Sequence, residues 1–541
     1  MAPQLQWEFK VEEEAAAAVP FQKTNLSERK VPPLVSRILS CTISGLKAVP
    51  VFVELDITSG LPGLTIVGMG DTAVRESRER VLAALRNSGY ELPPARVTVN
   101  LAPADLKKEG SRFDLPIALG ILAALKAFPA AALDGHLVMG ELSLTGEVVG
   151  REPAFPAALL ARNCGLEGLI LPREMASEAS LVEGCLPLQA NRLSELTEYL
   201  RGSRSLETAR KPSVRKPDRI PDLNEVNGQL LARRAMEIAA AGGHNILMMG
   251  PPGSGKTMLA RRLPGILPRL GPEESMEVTA IHSIAGLLSP GEGPMDTPPF
   301  RSPHHTISHI GLAGGGNIPR PGEITLAHRG VLFLDEMSEF NRSALEILRQ
   351  PLEDGKIIIS RASRSVAYPA DFLLVGTTNP CPCGFFGHET KPCSCPPAAV
   401  ARYRRRISGP LLDRIDLIVQ VRALGPETLQ SEDRGESSRA VLDRVDDARS
   451  VQYRRFGKEP GALNSRLSAD RLREAVRLGP AHKRILEGAM RNLGMTARGY
   501  HRVLKVARTI ADLEGDQFPS PQHLAEALQY RPVLENQLKG F

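Results

Sequence analysis

The sequence predicts a multidomain α/β protein with a helical C-terminal part, and three observations carry that reading. An apolar run, Ile246 to Met249, leads directly into the glycine loop Gly250 to Thr257, as a buried strand feeding a helix would. Short β-type runs and helix-type runs alternate between residues 36 and 200. Beyond about residue 439 the apolar residues (Val441, Val445, then Val503, Val506, Ala507, Ile510 and Leu513) fall at helical spacing.

A chain of 541 residues is too long for one compact domain, and 42% hydrophobic content suits sizeable soluble cores. Residues 1–35 are mixed and charged and are expected to form a poorly ordered extension. Their acidic cluster, Glu12 to Glu14 ahead of a short alanine run, is not the layout of a signal peptide. In residues 36–200, Val51 to Ile57, Leu64 to Val67 and Arg96 to Asn100 read as strands, and Thr72 to Ser88 and Leu115 to Ala127 as helices. The stretch from Leu115 to Leu133 is the most apolar, but Pro116, Lys126 and Pro129 interrupt it, so a buried core helix is expected and no membrane partner. Residues 201–221 are basic and rich in Pro and Ser, which reads as a linker. A second α/β region spans 222–424, and residues 425–541 open on a polar stretch and continue as the helical part.

The net charge of +6 permits nucleic-acid binding without arguing for it, and aromatics at 4% weigh against gripping single strands mainly by base stacking. Seven cysteines, four of them within residues 381–395, suggest reduced thiols in a cytoplasmic protein together with a metal site.

Gly250, Pro251, Pro252, Gly253, Ser254, Gly255, Lys256 and Thr257 have the spacing of a phosphate-binding loop. The glycines let backbone amides turn toward ATP phosphates, Lys256 supplies a point charge, Thr257 offers a hydroxyl to Mg²⁺, and the helix expected over Met258 to Leu263 adds its dipole. The apolar run Val331 to Leu334 ends in Asp335 and Glu336, a buried strand delivering two acids to the sheet edge. Asp335 is placed to hold Mg²⁺ and Glu336 to polarise the attacking water. A third strand, Phe372 to Thr378, ends in Asn379, either a water-orienting amide or a turn residue. Arg414, between Asp413 and Asp416, is either a transition-state cation for a neighbouring subunit or half of a surface ion pair.

Cys381, Cys383, Cys393 and Cys395 could hold a tetrahedral Zn²⁺, with His388 in reserve, or remain free thiols. Phe385 and Phe386 would pack over that site or project toward DNA, and the basic run Arg402 to Arg406 would face nucleic acid or a neighbour.

These strands and termini resemble an AAA+ ATPase. Arg301 to Thr306, Gly314 to Gly316 and Arg320 to His328 narrow the resemblance to the Mg-chelatase-like branch. With Asn100 to Asp105 and Asn379 to Gly384, the likeness to the bacterial ComM/YifB family covers nearly everything from about Ser36 onward. The resemblance implies a Lon-protease-like α/β domain over 36–200, an AAA+ core over 222–424 and a helical lid over 425–541. It further implies a homo-hexameric ring with ATP between subunits, Asn379 as sensor 1, Arg414 as trans-acting finger and Arg498 as sensor 2, with Arg502 as rival. Val226, Gly228 and Gln229 would pack near the adenine. In the related MCM helicases a hairpin touches DNA in the pore; here it would be Lys356 to Val366, with Arg361 and Arg364 as DNA contacts or as a solvated tip.

Aligned with the Lon motif, Arg112 stands where the nucleophilic serine belongs, with Ser111 one residue away, and Phe155 stands near the lysine position. A working protease is therefore disfavoured. Arg75, Arg78, Arg80, Lys107 and Lys108 suggest assembly or DNA contact instead, or a helical surface of mixed charge. The function implied is an ATP-driven DNA helicase promoting branch migration on single-stranded and branched DNA during natural transformation or repair. The alternatives are a metal-chelatase motor subunit and an ATP-dependent protease.

Overall fold

The computed structural model describes residues 36–531, apart from 93, 210–211, 213–219, 290, 317–318, 362–363, 389, 426–434, 459–460 and 494. The extension 1–35 lies outside the described residues, as do residues 210–211 and 213–219 of the linker. The strands in chain order are β1 Ser36–Ser44, β2 Lys47–Ser59, β3 Gly63–Val67, β4 Ala95–Ala102, β5 His136–Val138, β6 Glu141–Leu142, β7 Val148–Val149, β8 Gly168–Pro172 and β9 Pro187–Ala190. They continue with β10 Ile246–Met249, β11 Phe300–Arg301, β12 Gly314–Gly315, β13 Arg320–Pro321, β14 Val331–Leu334, β15 Lys356–Arg361, β16 Arg364–Pro369, β17 Leu373–Thr378 and β18 Leu417–Gln420.

The first region is built on a mixed seven-stranded sheet, ordered β3-β4-β2-β1-β5-β8-β9. Its strands alternate: Ile38, Val51, Val53 and Leu55 join one core, while Leu39, Cys41 and Leu137 pack into another. The helix Thr72–Asn87 starts on Asp71, whose carboxylate accepts from the Val74 amide at 2.9 Å, and buries Val74, Val81, Ala84 and Leu85 at helical spacing. The apolar stretch forms the helix Asp114–Ala124, buried all round as its composition requires. It ends three residues earlier than the sequence suggests because Lys126 turns into the left-handed region at φ 58°. The linker also departs from expectation. The Gln189 amide donates to the Glu207 carbonyl at 2.8 Å and Leu188 pairs with Thr208, so the start of the linker returns to cover the β9 edge.

The second region carries a five-stranded parallel sheet, ordered β11-β14-β17-β10-β18. Its strands β10 and β14 are continuous apolar runs because both faces are covered. Val331 and Phe333 of β14 enter one core, and Leu332 and Leu334 the other. The helix Leu230–Gly242 lies on the first face, and the C-terminal helices Ser438–Phe456 and Ala497–Glu514 share that core through Val441, Val445, Val503 and Ala507. Thr496 caps the latter helix and Gly515 closes it at φ 77°. β15 and β16 form the expected hairpin, pairing Arg361 with Arg364; the side chains of those two arginines lie outside the described residues.

The two regions touch. Glu178 accepts from the amides of Ala154 and Phe155 and from the Ser283 hydroxyl of the second region. Ala280 enters the apolar cluster around Phe155. Among the described residues no helix is long and apolar enough to cross a membrane.

Candidate functional site

Parallel strands deliver their C-terminal ends to one sheet edge, and the chemistry-bearing residues follow β10, β14 and β17 there. Gly253 and Gly255 turn the loop after β10 at φ 76° and 89°, conformations a side chain would strain. The loop leads into a helix, Lys256–Ala260, shorter than expected, with a 3₁₀ turn, Leu263–Ile266, soon after. The helix thus starts two residues before the expected Met258 and ends three before Leu263, so Lys256 and Thr257 themselves form its first turn. Lys256 is 8% exposed. Its ammonium donates to the carbonyls of Gly250 and Pro251 at 2.8 Å and to Asn379 Oδ1 at 3.2 Å. Burial holds its pKa below the usual lysine value, opposed by Asp335 and Glu336.

The hydroxyl of Thr257 donates to Asp335 at 3.0 Å, so these two candidate oxygen ligands, one from the helix after the loop and one from the end of β14, face each other. Their pairing suits Mg²⁺, which takes oxygen ligands from one or two such side chains. Thr377 was not singled out in the sequence. Its hydroxyl donates to Asp335 Oδ1 at 2.6 Å and accepts from the Glu336 amide at 2.9 Å. Two adjacent threonines ending an otherwise apolar strand were the available signal. Glu336 sits at φ 51°, an uncommon conformation for a non-glycine residue and one that clusters at functional sites. Gln229 reaches the loop, donating to the Ser254 carbonyl at 3.2 Å and to Arg422 at 2.7 Å.

Arg414 and Arg498 lie elsewhere. The Asp416 and Leu417 amides both donate to the Asn245 carbonyl at 3.0 Å, which fixes Arg414 at the N-terminal ends of β10 and β18, on the rim opposite the phosphate loop. Its guanidinium pairs with Glu353 and donates to the Pro410 carbonyl at 2.9 Å, so the ion pair with Asp413 or Asp416 is replaced. Arg498 and Arg502 line the same cleft of about 290 Å³ as Arg414 and Glu353. Arg502 is tied down, donating to the Ile415 carbonyl at 3.3 Å and pairing with Asp416 at 3.5 Å; burial draws its pKa down to about 10. Arg498 is exposed and faces the cleft.

The four thiols of Cys381, Cys383, Cys393 and Cys395 all lie within 4.8 Å of one another. Cys381 stands 3.4 Å from Cys383 and 3.6 Å from Cys393, and Cys383 and Cys393 are 3.5 Å apart. A tetrahedral zinc–thiolate site has sulfur separations of about 3.8 Å, so the group fits Zn²⁺. His388 stands outside the cluster, its Nδ1 accepting from the amides of Thr390 and Lys391 at 3.2 Å. Phe385 and Phe386 pack under Lys391 and Arg404. The basic run is partly used within the chain: Arg404 donates to the Pro380 carbonyl at 3.1 Å, Arg406 to Glu339 at 2.7 Å, and Tyr403 is buried. Arg402 and Arg405 are exposed.

In the first region Arg112 is buried and paired with Glu152 at 2.5 Å, and Ser111 donates to Glu141. Lys108 is buried against the Pro103 carbonyl and Arg80 pairs with Asp114 at 2.7 Å, which removes both from any outward basic patch. Arg75 and Arg78 are exposed.

A parallel sheet whose first strand feeds a glycine loop and whose neighbours bring Asp335, Glu336 and Asn379 beside Lys256 has the AAA+ architecture of the Mg-chelatase-like class. Family profiles match three stretches of the chain: "Magnesium chelatase, subunit ChlI" over residues 222–429, "Subunit ChlI of Mg-chelatase" over 53–175 and "Magnesium chelatase, subunit ChlI C-terminal" over 435–531. The chain is 44% identical to YifB of Salmonella typhimurium over 493 residues, covering 90% of this chain and 95% of that protein. It is also 44% identical to the competence protein ComM of Haemophilus influenzae over 496 residues, 91% and 96% of the two chains. The Magnesium-chelatase 67 kDa subunit of Chlorobaculum parvum is 30% identical over 162 residues only, 29% of this chain and 23% of its own. The chain belongs to the ComM/YifB family of Mg-chelatase-like AAA+ proteins.

Proposed function

We propose that the protein is an ATP-hydrolysing ring motor that moves branched DNA, working in the cytoplasm. The observation that carries the ATPase part is the split of its site. Lys256, Thr257, Asp335, Glu336 and Asn379 gather at one rim of the sheet, while Arg414 and Arg498 gather at the other. In this reading the loop holds ATP, Thr257 and Asp335 hold Mg²⁺, which neutralises phosphate charge, and Glu336 orients water. Asn379 acts as sensor 1. The two arginines face a neighbour's nucleotide, which requires a closed ring, and the family resemblance makes that ring a hexamer. The helical C-terminal part is the lid that carries Arg498. The four thiolates hold Zn²⁺ as a structural ion.

The DNA part rests on kinship with the competence protein ComM and on the β15–β16 hairpin, whose tip pairs Arg361 with Arg364. The first region is read as a Lon-like domain without protease chemistry, because a buried Arg112–Glu152 pair stands where a serine nucleophile would be needed. A chelatase motor subunit is the competing reading; the chelatase-named family profiles support it, while the chelatase relative itself matches less than a third of this chain.

The test incubates the full chain with a synthetic four-way junction, ATP and Mg²⁺, and in parallel with a chelatase reconstitution. Strand products that disappear in the Lys256→Ala variant are expected. An untouched junction alongside stimulated tetrapyrrole metallation would replace the motor with the chelatase.

A further inference from the structure

The cysteine cluster meets the phosphate loop through its first limb, and its second limb returns beside the residues that follow β14. Cys381 follows Asn379 by two residues, and Asn379 contacts Lys256 at 3.2 Å. Gly384, at φ 83°, lies so close to the loop that a Cβ there would stand 2.5 Å from Pro252 Cδ and 3.1 Å from its Cγ. Within the cluster, the Gly384 amide donates to the Cys381 carbonyl at 3.0 Å and the Phe386 amide donates to Cys381 Sγ at 3.3 Å. The cluster's other limb runs from Cys395 into the helix Pro397–Arg404. Arg404 at its end returns to the Pro380 carbonyl at 3.1 Å and lies 4.6 Å over the Phe386 ring, and Arg406 just beyond it donates to the Ser338 carbonyl at 3.0 Å, behind Asp335 and Glu336.

We propose that the metal-bearing loop is a brace for the nucleotide site, with Gly384 and Cys381 as positioning residues that set the phosphate loop through Pro252 and Asn379. The inference rests on the ATP and zinc readings above. A loop with four sulfurs and little apolar core of its own takes its shape from the ion that ties residue 381 to residue 395. That shape decides whether Gly384 presses against Pro252 and where the Asn379 amide meets Lys256. Losing it leaves the phosphate loop a wider choice of conformations, so binding nucleotide must then include ordering it.

The experiment measures, on the full chain, zinc content by elemental analysis, melting temperature, and affinity for a fluorescent ATP analogue with Mg²⁺. Gly384→Ala keeps every thiolate but pushes against Pro252. It is expected to retain the wild-type zinc content and a cooperative melt slightly below wild type, because alanine is strained at this φ, while the analogue binds about tenfold to a hundredfold more weakly. Wild-type protein stripped by a chelator is expected to weaken similarly and to recover on adding zinc chloride. Lys391→Ala, on the exposed side of the loop, is expected to behave as wild type. Wild-type affinity in zinc-loaded Gly384→Ala, or in fully stripped protein, would overturn the brace alone. Wild-type protein that carries no zinc, or does not bind the analogue, would overturn the brace together with the reading beneath it. If Gly384→Ala does not fold, the stripping and reloading arm decides.

Discussion

Replacing Arg414 by alanine tests whether the nucleotide site is shared between subunits. Arg414 lies at the start of β18, level with Asn245, and the phosphate loop begins only after the four residues of β10. At about 3.3 Å per residue the two stand roughly 13 Å apart along the sheet before any lateral offset, so the arginine cannot serve the phosphates of its own chain. A charge of this kind contributes about a thousandfold or more to phosphoryl transfer, or about 4 kcal/mol of barrier. The fold loses little, since the Arg414–Glu353 pair is largely open on the glutamate side and such pairs contribute about 1 kcal/mol or less. Arg414→Ala should therefore stay folded, bind ATP and lose steady-state hydrolysis. Lys256→Ala should lose hydrolysis through the other rim. When the two inactive variants are mixed in equal amounts and allowed to exchange, about a quarter of the interfaces pair an intact Lys256 with an intact Arg414. A phosphate-release assay should then show activity returning toward about a quarter of wild type, on independent sites. Mixtures no more active than their components would refute the shared site.

Other outcomes follow from the same geometry. Glu336→Gln should bind ATP and assemble but fail to hydrolyse it, and turnover near wild type would remove Glu336 as the water-orienting group. Thr377→Val removes the hydroxyl that fixes Asp335 and the Glu336 amide, and kcat should fall about tenfold to a hundredfold with KM little changed. Unaltered kcat would make those contacts incidental. Burial alone would raise the pKa of Asp416, but His244, Arg502 and Arg531 hold it down at about 2. Its stabilising contribution, about 2 to 3 kcal/mol, is therefore present above the unfolded value of about 3.9 and is lost as pH falls toward 2. The stability gap between wild type and Asp416→Asn, from urea titrations, should narrow across that window; a gap independent of acid pH would contradict the assignment.

What the sequence disclosed tracks the range of the interactions involved. β10, β14 and β17 were legible because strands buried on both faces must be apolar runs, and the residues that follow them must sit at one edge. The cysteine cluster was legible because its ligands are near neighbours in the chain. Partner choice across long separations was not. Nothing local says that Arg414 turns to Glu353 rather than to the adjacent Asp413 or Asp416, or that Arg112 meets Glu152. The same holds for Arg404 and Arg406, which read as an outward basic run but turn to Pro380 and Glu339. The short helix after Lys256 and the return of residues 207–208 to β9 depend on how neighbouring segments pack, which no single-segment pattern encodes.

The most direct measurement is ATP hydrolysis by the full chain with and without branched DNA. Mg²⁺-dependent turnover that rises when a four-way junction is added and vanishes in Lys256→Ala is expected. Turnover indifferent to DNA, or surviving the loss of Lys256, would contradict the motor reading.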